Sequence, residues 1–151
     1  MSAIDSNLSA AHAEVKAEIA RTDTKTSLLL AFVGALLAGT WTVAKDASLS
    51  VPVYVVGGLG TALLLAAASL LLSSVRPALG GARPVGFPRW ATLTAEEITA
   101  ELAHDQRAQH IAELARIAVR KFTGLQRAVD LTRAGGALLV LAALIAVGGA
   151  L

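Results

Sequence analysis

The chain has no cysteine, one tyrosine, two tryptophans and three phenylalanines among 151 residues. Without cysteine there is no disulfide framework, no thiolate zinc site and no cysteine nucleophile. Aromatic residues at 4% leave almost nothing to stack on bases, and a net charge of +2 is too small for a nucleic-acid footprint. Nucleic acid is therefore not an expected partner. Charged residues of both signs reach only 16%, below the share of ordinary soluble domains. There is no Walker A loop, no H-E-x-x-H and no glycine-rich dinucleotide fingerprint. No catalytic residue is assigned, and the chain reads as a non-enzyme. His12, His104 and His110 are scattered, so four convergent metal donors are missing and neither a metal nor a resident cofactor is expected.

What the chain does have is long apolar runs. Apolar residues make up 55%, and the mean hydropathy is +0.64. Three charge-free stretches, 26–44, 51–75 and 134–151, are each long enough to cross a bilayer. Leu36, Leu37 and Val43 in the first, Leu63 to Leu65 in the second and Leu138 to Ile145 in the third cover every helical face. A soluble helix keeps a polar face toward water. The pattern therefore predicts an all-α membrane protein with three transmembrane helices. The first apolar run begins only after a polar segment containing Asp5, Glu14, Glu18 and Asp23, unlike a cleavable signal, so it reads as a permanent anchor.

Residues 6–25 lack Gly and Pro and put Leu8, Ala11, Val15, Ile19 and Thr22 on one helical face, with Ser6 or Ser9 as candidate caps. Segment 1–25 is thus an amphipathic helix that runs on into span one. Residues 45–50 form a short polar turn, and Pro52 sits in the first turn of span two, where a missing amide is tolerated. Residues 76–93 form a Gly/Pro-rich loop. Thr94 and Glu97 fit a capping box. It opens a helical segment over 94–133 with Ile98, Leu102, Ile111, Leu114, Ala118, Phe122, Leu125 and Val129 on a drifting apolar stripe. Gly124 weakens this helix by roughly 1 kcal/mol relative to Ala. Two amphipathic helices thus lead into spans one and three. Basic residues are dense before span one and between spans two and three, against Lys45 alone between spans one and two. The positive-inside rule makes the N-terminus and 76–133 cytoplasmic.

The spans contain no ionisable residue, so a proton relay is not expected. Chemistry is confined to their borders. Asp23 and Lys25 stand at the mouth of span one, either as an interfacial anchor or as residues that form a polar contact with each other or bind a ligand. Arg116, Arg120 and Lys121 belong to a basic run continuing to Arg127 and Arg133. Arg116 and Arg120, four apart on one face, can grip one anionic group; the same run can meet anionic lipid headgroups. Trp90, beside Arg89, suits the headgroup region better than base stacking. Gly34 with Ala38 and Gly58 with Ala62 permit close helix approach. Three helices alone enclose no passage, while amphipathic helices can pair across protomers, so a homo-oligomer is expected.

Several strings carry a resemblance. Ala20-Arg-Thr-Asp-Thr-Lys-Thr-Ser-Leu-Leu-Leu30 precedes a Gly/Ala-rich span. Ser74-Val-Arg-Pro77, Phe87-Pro-Arg-Trp-Ala91, Arg116-Ile-Ala-Val-Arg-Lys-Phe122 and Arg127-Ala-Val-Asp-Leu-Thr-Arg133 follow in order. The chain resembles the membrane effectors of Pycsar, the pyrimidine cyclase system for antiphage resistance. The resemblance implies an inner-membrane effector that responds to cCMP or cUMP, made by a neighbouring cyclase during infection, and then impairs the membrane so that the cell dies. It supplies no residue-level nucleotide motif. The ligand candidates remain Arg116, Arg120, Lys121, Asp23 and Lys25, with the bilayer, the cyclic nucleotide and further copies as partners. A constitutive membrane scaffold that docks a cytoplasmic protein is the competing reading.

Overall fold

A computed structural model of the chain describes residues 3–45, 49–75 and 87–148. The expected turn at 45–50, the loop at 76–93 and the end of span three lie partly outside them, at 46–48, 76–86 and 149–151. Five helices follow in order: α1 (Ala3–Ala44), α2 (Val51–Val75), α3 (Phe87–Trp90), α4 (Ala95–Leu102) and α5 (Arg107–Gly148). No strand occurs among the described residues. Helices α1, α2 and α5 are each long and apolar enough to cross a membrane. The chain is an all-helical, multi-pass membrane protein.

The chain divides into two compact units, one of Met1–Arg21 with Arg76–Lys121 and one of Thr22–Val75 with Phe122–Leu151. Helices α1 and α5 contribute to both. The second unit holds the three spanning segments and every buried residue among those described. Its core joins Val33, Leu64, Leu71, Leu125 and Ala128, flanked by Leu29, Leu30, Leu36, Leu37, Ala68, Leu70 and Leu139. Burial on α2 recurs at Val53, Gly60, Leu64, Ala67 and Leu71, the three- and four-residue steps of one helical face.

Lipid tails are as apolar as leucine, so spanning helices adhere through close packing rather than through a hydrophobic drive. Here two glycines provide it. A Cβ on Gly60 would lie 2.9 Å from the Gly135 carbonyl oxygen, and one on Gly135 would lie 2.8 Å from that of Gly60. Farther along, Gly57 faces Ala142. Numbers rise on α2 as they fall on α5, so the two run antiparallel. Gly34 and Gly58, the expected close-approach positions, have nothing within 4 Å. Their faces point outward together with exposed Phe32, Leu59 and Leu65.

In the first unit two local expectations change. Helix α1 already begins at Ala3, so Ser6 and Ser9 lie inside it rather than at its cap. The helix expected to run unbroken from Thr94 stops at Leu102 and restarts at Arg107. The cause is Asp105, whose Oδ1 accepts the Arg107 amide at 3.0 Å; a continuous helix would have sent that amide to residue 103. The break rephases the apolar stripe. Ile98, Ile111, Leu114 and Ala118 are half-buried and Leu125 is buried, whereas Leu102, Phe122 and Val129 face outward. The Thr94 capping box forms as expected, with Glu97 N donating to Thr94 Oγ1 at 3.3 Å and Thr94 N to Glu97 Oε2 at 2.8 Å.

The glycine contact yields a test. Gly60→Ala or Gly135→Ala forces a Cβ against a carbonyl oxygen and should cost about 1–3 kcal/mol. Gly34→Ala and Gly58→Ala should be neutral or mildly stabilising, because alanine favours the helix. Thermal unfolding in mild detergent distinguishes them; equal midpoints for all four variants would refute the contact.

Candidate functional site

The first unit contains no buried residue among those described, so its specific ties are polar. Arg89 Nε donates to both Glu101 carboxylate oxygens, at 2.8 Å each, linking α3 to α4. The half-buried Trp90 belongs to this pair of short helices. Arg107, the first residue of α5, uses all five of its side-chain N–H donors. Nε donates to Asp105 Oδ1 at 2.9 Å and Nη2 to Asp105 Oδ2 at 2.7 Å. Three further bonds reach α1: Nη1 to the Asp5 carbonyl at 3.2 Å and to Ser9 Oγ at 2.8 Å, and Nη2 to Asp5 Oδ1 at 2.8 Å.

Electrostatics follow from that contact. The Arg107 side chain and then its backbone amide hold the Asp105 carboxyl down at about 2. Asp105 and then Asp5 keep Arg107 protonated beyond its already high ordinary value. Loss of solvent, then Lys16, His110 and Arg107, push His12 below its ordinary 6.5.

Farther along α5, Ala115, Arg116, Val119 and Arg120 line an open groove of about 590 Å³. Arg116 and Arg120 stand one turn apart and exposed, with no ion pair or hydrogen bond among the described residues. Val119, between them, is 66% exposed. The expected pairing of these arginines on one face is therefore present. Lys121 is half-buried and turned away from the groove lining. At 1.5 Å rise per residue, Arg116 lies about 27 Å and Arg120 about 21 Å along α5 from Ala134, where the charge-free stretch begins. A headgroup layer is only about 5–8 Å thick on each side. By this measure Arg133, one residue before that stretch, lies within reach of the headgroups.

Asp23 and Lys25 belong to the second unit. They are two residues apart on α1, a spacing that points side chains to different faces. Asp23 is half-buried, and Lys25 is exposed without a partner. The expected mutual contact is not made. Buried Thr22 and Thr26 share this turn, with Thr26 Oγ1 donating to the Thr22 carbonyl at 2.8 Å. Among the described residues no group of three acidic, His or Cys side chains could hold a metal.

A model of the Pycsar effector protein domain matches residues 7–148. The chain belongs to that family. Membership makes it an effector of antiphage defence. No curated protein and no solved structure matches the chain.

The Arg107 contact of this Pycsar effector escaped sequence reasoning because its partners are 98 and 102 positions away. The one local signal was Asp105 two residues before an arginine. His12 supplies a test of this region. The folded state disfavours its proton, so the contribution of His12 to stability is fully present above the unfolded value near 6.5 and is lost as pH falls toward the lower folded value. Asp105 stays ionised across that window, since its contribution fades only as pH drops from 3.8 toward about 2. Spin labels at Ala13→Cys and Gln109→Cys should give a broader distance distribution at acidic than at neutral pH, and His12→Gln should flatten the response. Identical responses with and without His12 would refute the assignment.

Proposed function

We propose that this effector sits in the bacterial inner membrane with its N-terminus cytoplasmic, is switched by cCMP or cUMP from a neighbouring cyclase, and then impairs the membrane. Family membership supports the defence role, and the basic-residue bias supports the orientation. The observation that carries the ligand reading is the exposed Arg116–Arg120 pair on its groove, which has no ion pair among the described residues. A cyclic mononucleotide brings one negative charge and one flat base. Two arginines one turn apart suit the phosphate, and exposed Val119 offers an apolar surface beside them.

The described lining of the groove comes from one helix face. The reading includes a homo-oligomer, in which the amphipathic segments of α1 and α5 pair across copies. No catalytic step is assigned. The ligand acts by binding one packing of the helices better than another, since equal affinity for both would shift nothing. Asp23 and Lys25 are the second candidate site.

Calorimetric titration of the purified protein in detergent with cCMP and cUMP tests the reading. Arg116→Ala and Arg120→Ala should each cost about 1.5–3 kcal/mol, roughly tenfold to a hundredfold in affinity. Arg127→Ala and Arg133→Ala should leave nucleotide affinity unchanged and instead weaken the response to anionic lipid. Equal small losses at all four positions would place the ligand elsewhere.

Topology is tested separately by labelling single cysteines at Ser48 and Ala108 in this cysteine-free chain. Ser48→Cys should react from outside and Ala108→Cys only after the membrane is opened; the reverse pattern would invert the orientation.

A further inference from the structure

Arg107 occupies an unusual position. It is the first residue of α5, and its guanidinium reaches the first two turns of α1 through Asp5 and Ser9 while Asp105 closes its remaining donors. Both helices it joins run 42 residues without a break and continue into spanning segments. The contact thus ties together the free ends of two long levers.

The surroundings make this tie consequential. No residue of the unit is buried among those described, so apolar packing resists separation of the two helices only weakly. Regions of this kind lie at the low-stability end of a protein and are the ones that move in switching. The contact is also accessible to solvent. Arg107, Asp5 and Asp105 side chains are 32%, 40% and 47% exposed. A fixed structural brace is ordinarily buried, whereas a half-exposed, fully satisfied arginine is specific in geometry and easy to release. His12, three residues beyond Ser9, lies close enough to Arg107 to feel its charge.

We propose that the contact of Arg107 with Asp5 and Ser9 is an autoinhibitory latch, holding the first halves of α1 and α5 together in the resting effector until activation parts them. The latch rests on the membrane-impairing function proposed above. It adds a restraint distinct from the groove at Arg116 and Arg120. It assigns Arg107 to the silent state, where a ligand-binding arginine would serve the active one, so the two roles predict opposite phenotypes.

Leakage of dye from vesicles of phosphatidylethanolamine and phosphatidylglycerol carrying the full chain gives the first readout. Arg107→Ala and Asp5→Asn should each raise leakage without nucleotide roughly tenfold, a population shift of modest size, with Ser9→Ala weaker and Arg107→Lys intermediate. Spin labels at Ala13→Cys and Gln109→Cys should report a broader distance distribution in Arg107→Ala than in the parent, independently of any leakage. Conversely, a reducible bis-methanethiosulfonate joining His12→Cys to His110→Cys should silence nucleotide-driven leakage, and reduction should restore it.

A parent protein that leaks with cCMP or cUMP, beside Arg107 and Asp5 variants that stay silent without them, would overturn the latch and leave the proposed function intact. Leakage from those variants with no nucleotide response in the parent would support the latch and overturn the nucleotide trigger. An unchanged label distance in Arg107→Ala would overturn the latch whatever the vesicles do.

Discussion

Within hydrocarbon there is no water to receive a backbone amide, carbonyl or hydroxyl, so each must be satisfied by the helix that carries it. The spanning segments obey this down to their side chains. Thr40 donates to the Leu36 carbonyl, Thr61 to Gly57 and Ser69 to Leu65, and Thr132, just before span three, donates to Ala128. A hydroxyl hydrogen spent on its own helix is not available to donate to a neighbour. Adhesion between α2 and α5 then falls to shape, which is why the backbones touch at Gly60 and Gly135. A buried exception is the Ser74 hydroxyl near the end of α2, which has no partner; nothing in the structure explains it. With the spans committed to self-satisfaction, charge and recognition are left to the first halves of α1 and α5 and to the short helices α3 and α4.

How much of this was legible in the sequence depended on range. A spanning segment needs only about 20 apolar residues in a row, and composition alone shows that. The Thr94–Glu97 box closes within four residues, and the Arg116–Arg120 pair is one helical turn, so both could be read directly. The interruption at 103–106 was also local. There the competing signal of Asp105 on the Arg107 amide was overlooked in favour of an apolar period that drifts across it. Continuing the true period from Leu114 passes through Ala118, Leu125, Ala128 and Thr132, which leaves Phe122 and Val129 outside. The glycine pairing could not be read at all. Gly34, Gly58, Gly60 and Gly135 are equivalent in a single sequence, and only the antiparallel register of α2 on α5 separates those that touch from those that face outward. The Arg107 partners across the chain were hidden for the same reason.

The two units are held together by different forces. One holds every buried residue described and a pair of helices locked backbone to backbone; the other is held by ion pairs, a capping box and half-buried side chains. Exposed ion pairs are individually weak. A unit built from them has a native arrangement specified by geometry rather than by a deep free-energy well. Chemical stability of the spans therefore does not imply rigidity of the part outside them, even though α1 and α5 belong to both.

That division sets what a small ligand can accomplish. Moving a two-state equilibrium from about 1:99 to about 99:1 takes roughly 5.5 kcal/mol of differential affinity. Two charge-assisted contacts to one phosphate supply about 3–6 kcal/mol at most. A mononucleotide with a single charge can therefore switch a protein only where the packing that opposes it is slight. Had the first unit possessed a core like that around Leu64 and Leu71, parting its helices would expose several leucine-sized side chains. Each would oppose the change by about 1.5–3 kcal/mol of lost burial, and the ligand would be outweighed. Among the described residues of the first unit none is buried, and a unit of that kind is one that a single small anion could switch.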